Sequence, residues 1–142
     1  MKFKIYLSGP IFSEAEIKWA AKVKAAIEQQ FGDAVEVMWP HEVASKAETK
    51  DEIFQANVKA LDLCDVMVAI LDGSQVDDGT AWEIGYFYSR SRKPGRIIGI
   101  RTDFRRSGEM EDSRVNAMVE CSCATIVNGF DQLIIELERL MA

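Results

Sequence analysis

Six consecutive apolar residues, Val66 to Leu71 (VMVAIL), lead into a loop with three carboxylates and two glycines, Asp72-Gly73-Ser74-Gln75-Val76-Asp77-Asp78-Gly79. A helical pattern, Thr80 to Ser89, follows at once. An apolar run this short, closed by turn residues, reads as a buried strand. A buried strand that ends in an acidic, glycine-punctuated loop and then a helix is the usual construction of a ligand-binding edge in α/β proteins. The loop is too polar for a bare connector, and it is the candidate site around which the other segments are placed.

In chain order, Phe3 to Leu7 is a short strand that stops at Ser8-Gly9-Pro10. Ile17, Ala20, Val23, Ile27 and Phe31 recur at helical spacing, with Gly32 as the stop. Val35 to Trp39 reads as a second strand closed by Pro40, and the polar stretch His41 to Lys50 as a loop over the sheet edge. A helix is expected over Asp51 to Asp62, a strand over Val66 to Leu71, and a helix from Thr80. After a Lys93-Pro94-Gly95 turn come a strand at Ile97 to Ile100 and a charged segment without periodicity, Arg101 to Arg114. A fifth strand, Ala124 to Val127, precedes an amphipathic helix marked by Phe130, Leu133, Ile134, Leu137 and Leu140. Strands alternating with helices imply a parallel sheet with right-handed crossovers and helices on both faces. The expectation is a flavodoxin-like, three-layer α/β sandwich with a five-stranded parallel sheet in the order 2-1-3-4-5. That order brings Tyr6 to Pro10, Asp72 to Glu83 and Arg101 to Asp103 to one rim.

Length and charge narrow the possible roles. The 142 residues suit one core, so a single domain over 1–142 is expected. A net charge of −6 without a basic cluster argues against nucleic acid or an acidic membrane surface as partner. No apolar run approaches the roughly 20 residues needed to span a bilayer, and MKFKIYLSGP suits a first strand better than a signal peptide. Cys64, Cys121 and Cys123 lack metal spacing, and the chain has one histidine. Free thiols, no metal, no cofactor and a cytoplasmic setting are expected.

Several residues could carry chemistry. Glu83 follows Thr80 by three, and two readings are open for it. It could close a capping box with Thr80, or it could present a carboxylate at the rim, where a helix opening favours the ionised form. Asp77 and Asp78 are ordinary turn residues in Asp-Asp-Gly, yet several carboxylates at one rim repel each other unless a substrate or donors stabilise them. Asn57 shares a helix face with Ile53 and Leu61, four residues away on either side. An inward amide needs partners, from a nearby backbone or from a ligand. Tyr6 faces one side of strand 1, as a packed aromatic whose hydroxyl must be satisfied. Arg101, Arg105 and Arg106 are read as a solvated face rather than an anion site. Asn116 and Met118, in VNAM, lie in a region whose place does not follow from pattern.

Together these residues resemble the nucleoside 2-deoxyribosyltransferase family. IYLSGPIF, VAILDG, DDGTAWEIGY and VNAM occur in the family's order and at similar spacing, covering nearly the whole chain. The resemblance implies that Glu83 is the nucleophile that attacks C1′ of a 2′-deoxynucleoside, and that Tyr6 holds it. It implies that Asp77 binds the sugar 5′-hydroxyl, with Gly9 and Asp78 also at the substrate. It implies that Asn116, with Met118 beside it, reaches the same hydroxyl from a neighbouring subunit, so that a homodimer or higher homo-oligomer shares its sites. Asn57 departs from the pattern, since some members carry there an aspartate that contacts the base. An amide orients a base but donates no catalytic proton. The implied partners are a deoxynucleoside and a nucleobase.

Two other readings have definite requirements. A 2′-deoxynucleoside 5′-phosphate N-hydrolase must hold a dianion, calling for an arginine in the first loop and a small hydroxyl residue in place of the aspartate. The loop Ser8 to Glu16 has no arginine, and Asp77 would repel a phosphate. A non-catalytic receiver-like module needs an acidic pair after strand 1, where this chain has Leu7-Ser8-Gly9-Pro10.

Overall fold

The computed structural model describes residues 1–91 and 95–142. Five strands form one parallel sheet: β1 (Phe3–Ser8), β2 (Val35–Met38), β3 (Val66–Ile70), β4 (Ile97–Ile100) and β5 (Thr125–Val127). Their order is β2-β1-β3-β4-β5, as alternation predicts. The helices between and after them are α1 (Glu14–Phe31), α2 (Pro40–Val43), α3 (Lys50–Leu63), α4 (Asp78–Arg90), α5 (Ala117–Glu120) and α6 (Phe130–Met141).

The continuous apolar run of β3 has a simple cause: both its faces are covered. Val66, Val68 and Ile70 pack with Ile5 and Leu7 of β1 against Ala20, Val23 and Ile27 of α1 and Leu133 and Leu137 of α6. Met67, Ala69 and Leu71 pack with Tyr6 on the opposite face, against Ala60 and Leu61 of α3 and Ile84 and Phe87 of α4. In register, Tyr6 lies opposite Met67 and Ser8 opposite Ala69. Alternation along β1 therefore turns Tyr6 and Ser8 toward the α3–α4 layer.

Local chemistry sets the helix ends. Ser13 and Glu16 form a capping box at α1, and Thr49 with Glu52 form another at α3. Gly32 ends α1 with φ of 52°, in the left-handed region where glycine carries no side-chain penalty. Gly9 is small for a different reason. A Cβ placed there would come within 2.8 Å of Ile70 Cβ, so the exit of β1 passes close over the end of β3.

Four expectations need correction. The stretch from His41 is not all loop: Pro40 opens the short helix α2, with its fixed φ suited to a first helical position, and Trp39 caps that helix instead of extending β2. Helix α4 starts at Asp78, two residues before Thr80. Arg101 is not solvated: it is 1% exposed. Of the expected Lys93-Pro94-Gly95 turn, Lys93 and Pro94 lie outside the described residues. Among the described residues no helix is long and apolar enough to cross a membrane.

Candidate active site

The early start of α4 decides between the two readings of Glu83. Asp77 is the cap: its Oδ2 accepts from Thr80 N and from Thr80 Oγ1, both at 2.9 Å. With Asp77 in that position, Thr80 is the third helical residue and Glu83 the sixth. Glu83 is thus beyond the opening turn, forms no capping box, and gains less from the helix terminus than its spacing from Thr80 suggested. Its carboxylate is instead held from the sheet. Tyr6 donates its hydroxyl to Oε2, and Ser8 donates to Oε1 at 2.7 Å. Both donors are buried.

The electrostatics follow from that burial. Loss of solvent pushes the Glu83 carboxyl above its ordinary range, the Tyr6 and Ser8 hydrogen bonds pull it back, and the nearby Asp77 charge raises it further. Burial also raises the Tyr6 phenol, and the Glu83 charge adds to this, so Tyr6 keeps its proton and donates. The result is a half-buried carboxylate at the carboxyl edge of the sheet, with each oxygen oriented by a hydroxyl. Such a group is equipped for nucleophilic attack on an electron-poor carbon.

Asn57 lies on α3, on the same side of the sheet. Its Oδ1 is buried without a hydrogen-bond partner, so the oxygen is not tied to a nearby backbone. Its supposed face-mates split: Leu61 is buried but Ile53 is exposed. Asp78 is exposed, and its Oδ1 accepts from Gly79 N at 2.7 Å.

Asn116 and Met118 are placed elsewhere. Asn116 caps α5, its Oδ1 accepting from Met118 N at 2.9 Å, and Met118 is 79% exposed. Both line a groove of about 920 Å³ between α4 and α5, along with Asp78, Ala81, Gly85 and Tyr88. At 100° per residue, Ala81, Gly85 and Tyr88 point away from the side of α4 that carries Glu83. One chain therefore brings together Glu83, Tyr6, Ser8 and Asp77, and leaves Asn116 and Met118 around the helix.

Two features escaped the sequence reading. Ser8 was legible as a face-mate of Tyr6 by period-two alternation, but not as a partner of Glu83. The other is a brace between the loops that leave β3 and β4. Arg101 Nη1 donates to Leu71 O and to Gly73 O, the latter at 3.1 Å, and its Nη2 donates to Arg105 O at 2.7 Å. Asp72 accepts from Thr102 N, Thr102 Oγ1 and Asp103 N at 2.6, 2.9 and 2.8 Å. Asp103 in turn accepts from Gly73 N at 3.2 Å. Of the three carboxylates in the loop after β3, Asp72 thus serves the brace and Asp77 the helix cap. Cys64, Cys121 and Cys123 are free.

Comparison with known proteins places this geometry among relatives. A family model described as nucleoside 2-deoxyribosyltransferase matches residues 5–118. The chain is 29% identical over 158 residues to an uncharacterized protein of Ureaplasma parvum serovar 3, covering 97% of this chain and 98% of that one. Among solved structures, a 2-desoxiribosyltransferase from Leishmania mexicana superposes with a TM-score of 0.78 at 20% identity, over 96% of this chain and 97% of that one. A 2-deoxyribosyltransferase from Bacillus psychrosaccharolyticus superposes with a TM-score of 0.70 at 24% identity, over 92% and 89% of the two chains. A conserved protein from Enterococcus faecalis V583 gives 0.78 at 24% identity, over 98% and 99%.

Proposed function

The chain belongs to the nucleoside 2-deoxyribosyltransferase family, and we propose that it cleaves the N-glycosidic bond of 2′-deoxynucleosides through a deoxyribosyl-Glu83 ester. One carboxylate oxygen of Glu83 bonds to C1′ as the C1′–N bond breaks, and the base leaves with the bonding electron pair. A second nucleobase then attacks C1′ from the opposite face, restoring the carboxylate with net retention. The observation that carries this reading is the Glu83 carboxylate itself, released from helix capping by Asp77 and held by two buried hydroxyls.

Other residues fit around that centre. Asp77 uses Oδ2 for the cap, and its Oδ1 takes no hydrogen bond among the described residues, which suits it to receive a sugar 5′-hydroxyl. The unpaired Oδ1 of Asn57 suits a donor on the base. An amide supplies no proton to the leaving base, so protonation falls to Asp78 or to water. Gly9 lets the exit of β1 lie close over the end of β3, at the rim that carries Glu83. The position of Asn116 and Met118, around α4 from Glu83, suits a contribution to a neighbouring subunit's site in a homodimer or higher homo-oligomer.

Incubation with a 2′-deoxynucleoside, with and without a second base, and chromatography of the products tests the reading. Exchange of the base is expected. Release of base without transfer makes the protein an N-hydrolase, and no cleavage at all rejects the assignment.

A further inference from the structure

We infer that Ser8 is a second positioning residue for the Glu83 carboxylate, acting on Oε1 as Tyr6 acts on Oε2, and that its hydroxyl helps keep this group both aligned and ionised. The inference deepens the proposed reading and rests on it. Its basis is the geometry at the end of β1. Ser8 is fully buried on the most enclosed stretch of that strand, where an unpaired hydroxyl would be costly. Its Oγ lies 2.7 Å from Oε1, and that is its one hydrogen bond among the described residues. A serine in a strand flanked by Leu7 and Gly9 brings little packing, so the polar atom accounts for its presence better than its volume does.

The two donors divide the carboxylate. Tyr6, two residues deeper along β1, reaches Oε2, while Ser8, at the edge where the strand ends, serves Oε1. With both oxygens held, the carboxylate plane cannot rotate about its last bond, and an attacking lone pair keeps its direction. The same donors favour charge on a group that burial pushes toward neutrality. The titratable groups that bear on Glu83 are Tyr6 from β1 and Asp77 from the cap of α4. Cys64, at the end of α3, bears on Tyr6. Asp62, near the end of α3, is engaged further along α4, with Tyr86 and Arg90.

The test is the pH profile of kcat/KM for Ser8→Ala, Ser8→Thr and wild type, alongside Glu83→Gln. Loss of one charge-assisted hydrogen bond should move the acidic limb of Ser8→Ala up by about one pH unit, with about a tenfold loss of kcat/KM at the acid end and a smaller loss at high pH. Ser8→Thr, which keeps a hydroxyl and suits a strand, should return the limb toward wild type. A limb that stays in place in Ser8→Ala overturns the inference, whether activity is unchanged or falls equally at every pH. A Glu83→Gln protein that retains turnover would instead remove the nucleophile assignment. The two failures are thus distinguishable.

Discussion

At the scale of single residues, burial of the Glu83 carboxyl works against stability. Its pKa in the folded protein is raised, chiefly by burial. The carboxyl therefore costs nothing while both folded and unfolded states are protonated, below the ordinary carboxylate range. The cost appears as pH rises through the unfolded and then the folded value. Glutamine is neutral throughout, and its carbonyl can still accept from Tyr6. Glu83→Gln should therefore fold, with a melting temperature equal to or above wild type near neutral pH and a gap that widens as pH is raised from about 4, in the ordinary carboxylate range. Turnover should fall by at least about a thousandfold, since an amide does not attack C1′. Thermal melts across pH and single-turnover assays measure the two effects separately, and near-wild-type turnover would reject the nucleophile role. Asp77 offers a cleaner swap. Serine is also a good helix cap, so Asp77→Ser should leave α4 intact while removing a charge. The preference for a nucleoside over its 5′-monophosphate should shrink, as like-charge repulsion in a partly desolvated pocket is relieved. Comparison of kcat/KM for the two substrates reads it, and an unchanged ratio would place Asp77 outside the sugar site.

At the scale of elements, the site depends on two loops that stabilise each other. Arg101 is a buried cation whose nearest carboxylate contact, Asp103 Oδ1, is 4.0 Å away. Its role is to donate to carbonyls, and those of Leu71 and Gly73 belong to the segment that leads to Asp77 and α4. Arg101→Met keeps much of the volume but strips these acceptors of their donor. Stability should drop by about 3 kcal/mol, the scale for several buried groups left unpaired. Urea denaturation gives this number, and a loss under about 0.5 kcal/mol, the level of an ordinary surface substitution, would show the brace to be dispensable. Reading Arg101 from sequence failed because charged residues in an aperiodic stretch are usually solvated. Burial here is created by the loop closing over the side chain, which no local pattern encodes.

At the scale of the whole molecule, the groove between α4 and α5 puts Asn116 around the helix from Glu83. If Asn116 completes a neighbour's site, an Asn116→Ala protein mixed with an inactive Glu83→Ala protein should regain activity. Random two-fold dimers would contain one intact site in four, so recovery should approach about a quarter of wild type by counting sites under that symmetry. Subunits that demonstrably exchange while the mixture stays inactive would confine the site to one chain. Loss of the Asn116 cap is local to a four-residue helix and should not prevent association.

Local pattern by itself determined the five strands, the four long helices and their order. The apolar run at Val66 needed cover on both faces, the periodicity from Ile17 to Phe31 needed one, and parallel strands joined by helices left few topologies open. Alternation along β1 also separated Tyr6 from Ile5 and Leu7, while the side of the sheet it faces came from packing against α3 and α4. Which residue capped α4 was beyond local reading, because Asp77 and Thr80 are both good caps and the choice rests on where the helix meets the sheet. That choice in turn freed Glu83 to find Tyr6 and Ser8, partners distant in sequence that only packing of α4 on β1 brings within hydrogen-bond reach. The burial of Arg101 and the separation of Asn116 from Glu83 were decided in the same way. Periodicity reports which face of an element is apolar, whereas the partner of a polar group is set by contacts between elements far apart in the chain.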